Sequence, residues 1–246
     1  MTLFVLKIYS IKLLIPSKYY LMKYIISILI AGLFFSSCTS NRAGEKVTKS
    51  DEQAVVVKNS TSTKKMNELS KAYFASGCFW CVEAIFESVK GVEEAVSGYA
   101  GGTKENPTYQ EVGGGLTDHA EVVEVYYDPE VISYADLLKV YYGSHNPTTV
   151  NGQRPDFGKQ YRSMILYNDE MERKAAQDFK NELEAAGTYS EPIATEIVPL
   201  KKFWRAEEYH QDYEKINPGN SYVRNVSVPR LNRFKEKFPE LLKKGH

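Results

Sequence analysis

The sequence predicts a mixed α and β domain, a sheet with helices packed on it, carried behind an apolar leader and a polar spacer. Three observations carry that expectation. Apolar or alternating runs of strand length are separated by runs with helical spacing, and capping residues mark where helices start and stop. A composition of 43% hydrophobic against 25% charged residues is also an ordinary globular balance, which excludes a wholly disordered chain. At 246 residues there is room for one large domain or two small ones, and no internal repeat is present. Strand order is not readable from this pattern.

The elements follow one another from residue 69 onward. Residues 73–75 form a short apolar run that closes on Ser76-Gly77. Val82, Ile85, Phe86 and Val89 then recur at i, i+3, i+4 and i+7, one face of a helix. Residues 91–100 read as a second strand entering the turn Gly101-Gly102, and residues 121–127 as an alternating third strand before Asp128-Pro129. The second helix has its entry written out: Ser133 as N-cap, Asp136 three residues on, and Ile132 stapled to Leu137. Residues 162–166 make another strand. Asn168 is then expected to cap a helix whose face is Met171, Ala175, Phe179 and Leu183, stopped by Gly187. Residues 197–200 are a last apolar strand, and the basic stretch 231–244 reads as an amphipathic surface helix.

Ahead of this domain the chain is organised for export. From Met22, MKYIISILIAGLFFSSC gives one lysine, about a dozen uncharged residues, two serines and Cys38, the layout of an export signal. The run is shorter than the roughly 20 residues a membrane-spanning helix needs, so an uncleaved anchor is the weaker reading. Residues 1–37 are thus a signal region, with Met22 the expected true start and cleavage before Cys38. The last four residues of the motif, Phe35-Ser36-Ser37-Cys38, resemble a bacterial lipobox, which implies lipidation of Cys38 and an exported, membrane-anchored protein. Residues 38–68 are almost all Ser, Thr, Asn, Lys and Glu with no sustained period, a flexible polar tether holding the domain roughly 30 Å from its anchor.

Charge narrows the function classes. Lys plus Arg equals Asp plus Glu at 31 each, but four lysines and no acid fall in the first 37 residues, so the remainder is mildly acidic, 27 against 31. That balance offers no phosphate track for nucleic acid. Three cysteines, Cys38, Cys78 and Cys81, are too few for a disulfide framework in a chain of this length.

Chemistry concentrates at Gly77-Cys78-Phe79-Trp80-Cys81-Val82-Glu83. Cys78 falls at the mouth of the first helix, where unpaired N–H groups and the helix dipole favour an anion, so its thiol is expected to ionise below the free value. Cys81 lies three residues on, the spacing of a redox dithiol. Phe79 and Trp80 fall off the Val82, Ile85, Phe86 stripe, which suggests an apolar pocket wall beside Cys78. A permanent bridge would close too small a loop to stabilise much, about 2 kcal/mol in the chain-entropy model. A zinc site would have to recruit His119, His145 or His210, none of which has the spacing of a second ligand pair. On its alternating strand Glu121 shares a face with Val123, Val125 and Tyr127, so its carboxyl is expected to be desolvated and protonated near neutrality.

Six separated motifs, GCFWCVE, SGYAGG (97–102), NPTYQEV (106–112), DHAEVVEVYYDP (118–129), PDFGKQYRS (155–163) and AEEYHQDY (206–213), together resemble the peptide methionine sulfoxide reductase A family from about residue 70 to about 240. The resemblance implies a compact α+β two-layer sandwich on a βαβ core, ferredoxin-like, over residues 69–246, with no metal and no cofactor. It implies that Cys78 attacks the sulfur of methionine S-sulfoxide and becomes a sulfenic acid. Glu121 matches the general acid, Tyr109 and Tyr161 the tyrosines that bind the sulfoxide oxygen, Asp156 the acidic residue that orders a water, and Phe79 and Trp80 the walls around the S-methyl group. Its implied partners are oxidised proteins and a thioredoxin-like reductant, and the chain is expected to be a monomer.

Two departures stand out. Many relatives carry Gly at the position of Cys81 and take a resolving cysteine from the C-terminal tail, whereas the 165 residues after Cys81 here contain none. Resolution is then either local or external, and the expectation is that Cys81 attacks the sulfenic acid to give a Cys78–Cys81 disulfide. Asn146 stands where the family usually has Asp. Two other classes remain open on sequence: a general dithiol oxidoreductase, and a tethered binding domain without turnover.

Overall fold

The computed structural model describes residues 68–245. The expected signal region, Cys38 and all but the last residue of the tether lie outside the described residues, and none of the described helices is long and apolar enough to cross a membrane.

A six-stranded sheet organises the domain in the order β7-β6-β1-β3-β2-β8. Its strands are β1 (Ser70–Ser76), β2 (Val92–Ala100), β3 (Ala120–Tyr127), β6 (Ser163–Tyr167), β7 (Glu196–Pro199) and β8 (Trp204–Arg205), while β4 (Gly152–Gln153) and β5 (Asp156–Phe157) form a separate hairpin. Among the described strands only β6 and β7 pair in parallel. Helix α1 (Phe79–Glu87) connects β1 to β2 with β3 lying between them, and α3 (Tyr134–Gly143) connects β3 to β6 with β1 between them. Two interleaved split βαβ units are the ferredoxin-like arrangement.

The faces of the sheet divide by residue parity, as pleating requires. Phe74, Val123, Val125 and Tyr127 join α1, α3 and α4 (Glu170–Ala185) in the main core, whereas Tyr73, Ala75, Ala120 and Val122 form a second cluster under Val198, Leu200 and Phe203. Helices therefore cover one face. Stacked rings of Phe74, Phe86 and Tyr141, with centroids 5.0 Å and 5.2 Å from Phe74, tie α1 and α3 to the central strand.

Capping chemistry places the helices. Ser133 and Asp136 make the expected reciprocal box at α3. At α4 the cap is Asp169, whose carboxylate accepts from Glu172 N; Asn168 instead has its own N–H bound by Glu172. The residue nearer the first turn wins because it reaches the N3 amide. Met171, assigned to the buried face, is 78% exposed, and Ala176 takes the core position. The basic C-terminal helix is shorter and earlier than expected: a π-helical turn, Val223–Ser227, runs into α6 (Val228–Lys237), and Pro239 follows its end. A short helix α2 (Tyr109–Gly113), the β4–β5 hairpin, β8 and the one-turn α5 (Tyr213–Ile216) carry no sustained period and were not anticipated.

Candidate active site

The centre of the site is the point where β1 runs out. The β1–β3 ladder ends at Phe74 opposite Val123, but the β2–β3 ladder continues to Tyr99 opposite Glu121. Glu121 thus projects from the helix-covered face of β3 into the gap left by β1, where Gly77 turns the chain into α1. Gly77 has φ +92°, and a Cβ there would lie 2.8 Å from Gln153 Cβ, so only glycine fits this turn. Phe79 N, the first free donor of α1, gives its hydrogen to Glu121 Oε2 at 3.0 Å.

Glu121 is 2% exposed. Burial pushes its pKa up to about 8, with Asp156 and Cys81 adding to the rise and the Phe79 N–H opposing it. The carboxyl is protonated at neutral pH, as its strand position predicts.

Cys78 and Cys81 are both free thiols, buried at 7% and 1% exposure. The expectation that Cys78 ionises early is overturned. Burial, a hydrogen bond with Cys81 and the charges of Cys81 and Glu121 push its thiol well above the ordinary value. Helix α1 gives the sulfur no hydrogen bond, because its leading N–H is taken by Glu121 and Cys78 makes no side-chain cap bond. Cys81 is the sulfur held low, by the hydrogen bond from Cys78, the Arg230 charge, and hydrogen bonds with Ser227 and Tyr222. The two thiols are hydrogen-bonded and titrate as a pair.

The two expected tyrosines arrive from separate loops. Tyr109 opens α2 and Tyr161 closes a 3₁₀ turn, Lys159–Tyr161. Burial and the charges of Glu121 and Cys78 push the Tyr109 phenol up to about 12 and Tyr161 higher still, so both are hydrogen-bond donors. Asp156 comes from β5; burial raises its carboxyl, and Tyr222 Oη donates to its Oδ2 at 2.5 Å. Cys78 feels the charge of Glu121, Glu121 that of Asp156, and Tyr109 and Tyr161 those of Glu121, Cys78 and Asp156, while Asp156 itself answers to Arg230.

The aromatic pair divides its labour. Phe79 is 1% exposed and belongs to the same core cluster as Val82, Ile85 and Phe86, which corrects its placement off that stripe; it lies at i−3 from Val82. It backs the site beneath Tyr99, Tyr109 and His210, with centroids at 5.9, 6.4 and 5.0 Å. Trp80 is half-buried and stacks on Tyr213 at 3.7 Å and 6°, while its Nε1–H donates to His210 Nδ1 at 3.1 Å.

Residues to which the sequence assigned no such role hold these walls. Within AEEYHQDY, Glu207 accepts from Tyr109 N and from Tyr99 Oη, Gln211 bridges to Ser97, and His210 receives Trp80. The motif was visible as a resemblance, without roles. Tyr222, bridging Asp156 and Cys81 Sγ at 3.7 Å, had no signal among 18 tyrosines. Asn146 sits in a loop where its Oδ1 accepts from Thr148 N and Oγ1.

A sulfur nucleophile, a buried neutral carboxyl and two phenolic donors around an aromatic wall can transfer a proton and hydrogen bonds to one uncharged oxygen acceptor. The model of the peptide methionine sulfoxide reductase family matches residues 70–242. The chain belongs to that family. It is 50% identical over 169 residues to peptide methionine sulfoxide reductase MsrA of Natronomonas pharaonis, covering 69% of this chain and 95% of that protein. It is also 50% identical over 174 residues to MsrA of Pasteurella multocida, covering 70% and 98%. Among solved structures it is similar to reduced Mxr1 of Saccharomyces cerevisiae, with TM-score 0.59 and 36% identity over 63% of this chain and 88% of that one. Methionine sulfoxide reductase A of Corynebacterium diphtheriae gives TM-score 0.55 and 35% identity, covering 61% and 76%. The sandwich expected from the six motifs is thus the fold of this reductase family.

Proposed function

We propose that this site reduces methionine S-sulfoxide, free or in oxidised proteins, to methionine, with Cys78 as nucleophile and Glu121 as general acid. The observation that carries the reading is the buried, protonated carboxyl of Glu121 fastened to the helix mouth next to Cys78. As Cys78 attacks the sulfoxide sulfur, Cys81 takes the Cys78 proton through their hydrogen bond and Glu121 protonates the sulfoxide oxygen. The oxygen passes to Cys78 and methionine leaves. Tyr109 and Tyr161 donate to the oxygen, Asp156 orders a water there, and the Phe79–Trp80 wall meets the S-methyl group.

Cys81 then attacks Cys78 Sγ, the sulfenic hydroxyl departs as water, and a Cys78–Cys81 disulfide remains for a thioredoxin-like donor to reduce. One equivalent of each sulfoxide epimer, followed by mass spectrometry, tests the scheme. The S epimer gives methionine and a protein lighter by the two hydrogens of a disulfide, Cys81→Ser stalls as sulfenic acid, and Cys78→Ser gives no methionine. Methionine from Cys78→Ser would overturn the reading. Reduction of insulin disulfides without sulfoxide turnover would instead favour a general dithiol oxidoreductase.

The leader pattern supports a second part of the proposal: residues 1–37 direct export, Cys38 carries a lipid, and a monomeric domain works from a membrane surface. Fatty-acid labelling of the protein and of Cys38→Ser checks this; equal labelling of the two defeats it.

A further inference from the structure

Arg230, Arg233 and Lys237 follow one another along a face of α6 and, with Arg154 from the β4–β5 turn, line a cleft of about 470 Å³ that reaches Cys81. Asp156 is the only acid of that lining, so four cations meet one carboxylate. His145 also lines it, but burial pushes its imidazole down to about 3, so it adds no charge. The ion pairs of the described residues engage other cations. Arg230 donates only to neutral oxygens, Ser144 O at 2.9 Å and Ser76 Oγ at 3.2 Å.

Such a cleft attracts an anion, and guanidinium groups favour carboxylates. Its volume is that of a small-molecule site. It touches Cys81 and not Cys78, and shares Asp156 with the site around Cys78, so what binds here is placed to meet the second sulfur. Cys81 lines the cleft and is 1% exposed, an access that suits a slender thiol.

We propose that this cleft seats a small carboxylate-bearing thiol that reduces the Cys78–Cys81 disulfide by attacking Cys81, an inference that rests on the disulfide of the proposed function. The donor thiolate bonds to Cys81 Sγ, the Sγ–Sγ bond breaks, and its electron pair leaves on Cys78, which takes up a proton. A second donor thiol attacks the donor sulfur of the mixed disulfide and releases Cys81. Two donor thiols become one disulfide, and both cysteines are returned reduced.

The test uses the full chain oxidised by one equivalent of methionine sulfoxide, with disulfide loss followed by acid-quench mass spectrometry. The donors are mercaptosuccinate, 2-mercaptoethanol and cysteamine, each rate divided by that thiol's rate with 2-hydroxyethyl disulfide. Mercaptosuccinate should exceed 2-mercaptoethanol by about ten-fold or more, with cysteamine slowest. That ratio should fall toward one in 1 M salt and in the double variant Arg233→Glu, Lys237→Glu. Asn146→Asp, which keeps the acceptor bonded by Thr148 but adds a negative charge to the cleft, should lower it by a smaller factor. The ratio is read on one preparation and does not depend on its active fraction. If the disulfide forms but the three normalised rates agree, the inference is overturned. If no disulfide forms, the resolving role of Cys81 fails and takes the inference with it.

Discussion

Cys78 and Cys81 are one helical turn apart, yet they face opposite surroundings. Around Cys78 lie Phe79, Trp80, two protonated phenols and a neutral carboxyl. Around Cys81 lie the Arg230 charge and the hydroxyls of Ser227 and Tyr222. Burial dominates the first and hydrogen bonding dominates the second, so the sulfur nearer the helix start is the one that keeps its proton. The comparison teaches that a thiol at a helix start gains most when the N–H groups there are free to reach the sulfur. Here the leading one is committed to a carboxyl.

The largest effect should come from removing the acid on the Cys78 side. Glu121→Gln keeps the shape and an oxygen for Phe79 N but has no proton to give, so kcat/KM should fall by about 10²–10⁴-fold. In the wild type the rate should decline as pH rises through about 8, and this limb should vanish in the variant. Stability should move the other way. A carboxyl whose folded pKa is raised binds its proton more tightly in the folded state, so its contribution is lost as pH rises from about 4.5 to about 8. Melting curves should show Glu121→Gln gaining on wild type across that window, by an order of a few kcal/mol.

Removing the cation on the Cys81 side should cost less. Arg230→Met takes away a charge that holds the Cys81 thiolate down, so disulfide formation should need higher pH and slow by about ten-fold near pH 7. Stopped-flow rates of disulfide formation across pH check this, and an unmoved profile would erase the contrast between the two sulfurs. Arg230→Lys should recover part of the rate by restoring charge without the two-pronged hold on Ser144 and Ser76.

The smallest change sharpens the comparison at the wall. Trp80→Phe loses the hydrogen bond to His210 and part of the overlap with Tyr213, and should lower stability by about 1 kcal/mol. KM for the sulfoxide should rise more than kcat falls, since the ring shapes the pocket without transferring a proton.

Elements with both a periodic stripe and capping residues were legible in the sequence, as at Ser133 and the Val82, Ile85, Phe86 face. Glu121 was legible too, because strand parity fixed which way it points. The Asp156 hairpin was not: four strand residues and a turn contain no period to read. Tyr222 was hidden for another reason, since its place depends on the π-helical turn that starts at Val223, a tertiary accommodation with no local code. The ionisation of the two sulfurs could not be ordered from spacing alone, because it turns on Arg230, 149 positions after Cys81.

The gap beyond Phe74, into which Glu121 projects, has one more consequence. Glu121 lies near the start of β3 and Cys78 two residues past the end of β1, with Phe79 N bonded to Glu121, so their separation is referenced to the hydrogen bonds of the central strands. Sliding one strand past the other would turn every side chain to the opposite face before it shifted the pair by a small amount. The catalytic distance therefore behaves as a discrete quantity. Gentle heating or a remote surface change leaves it intact, and it is lost only when the central ladder opens as a cooperative unit.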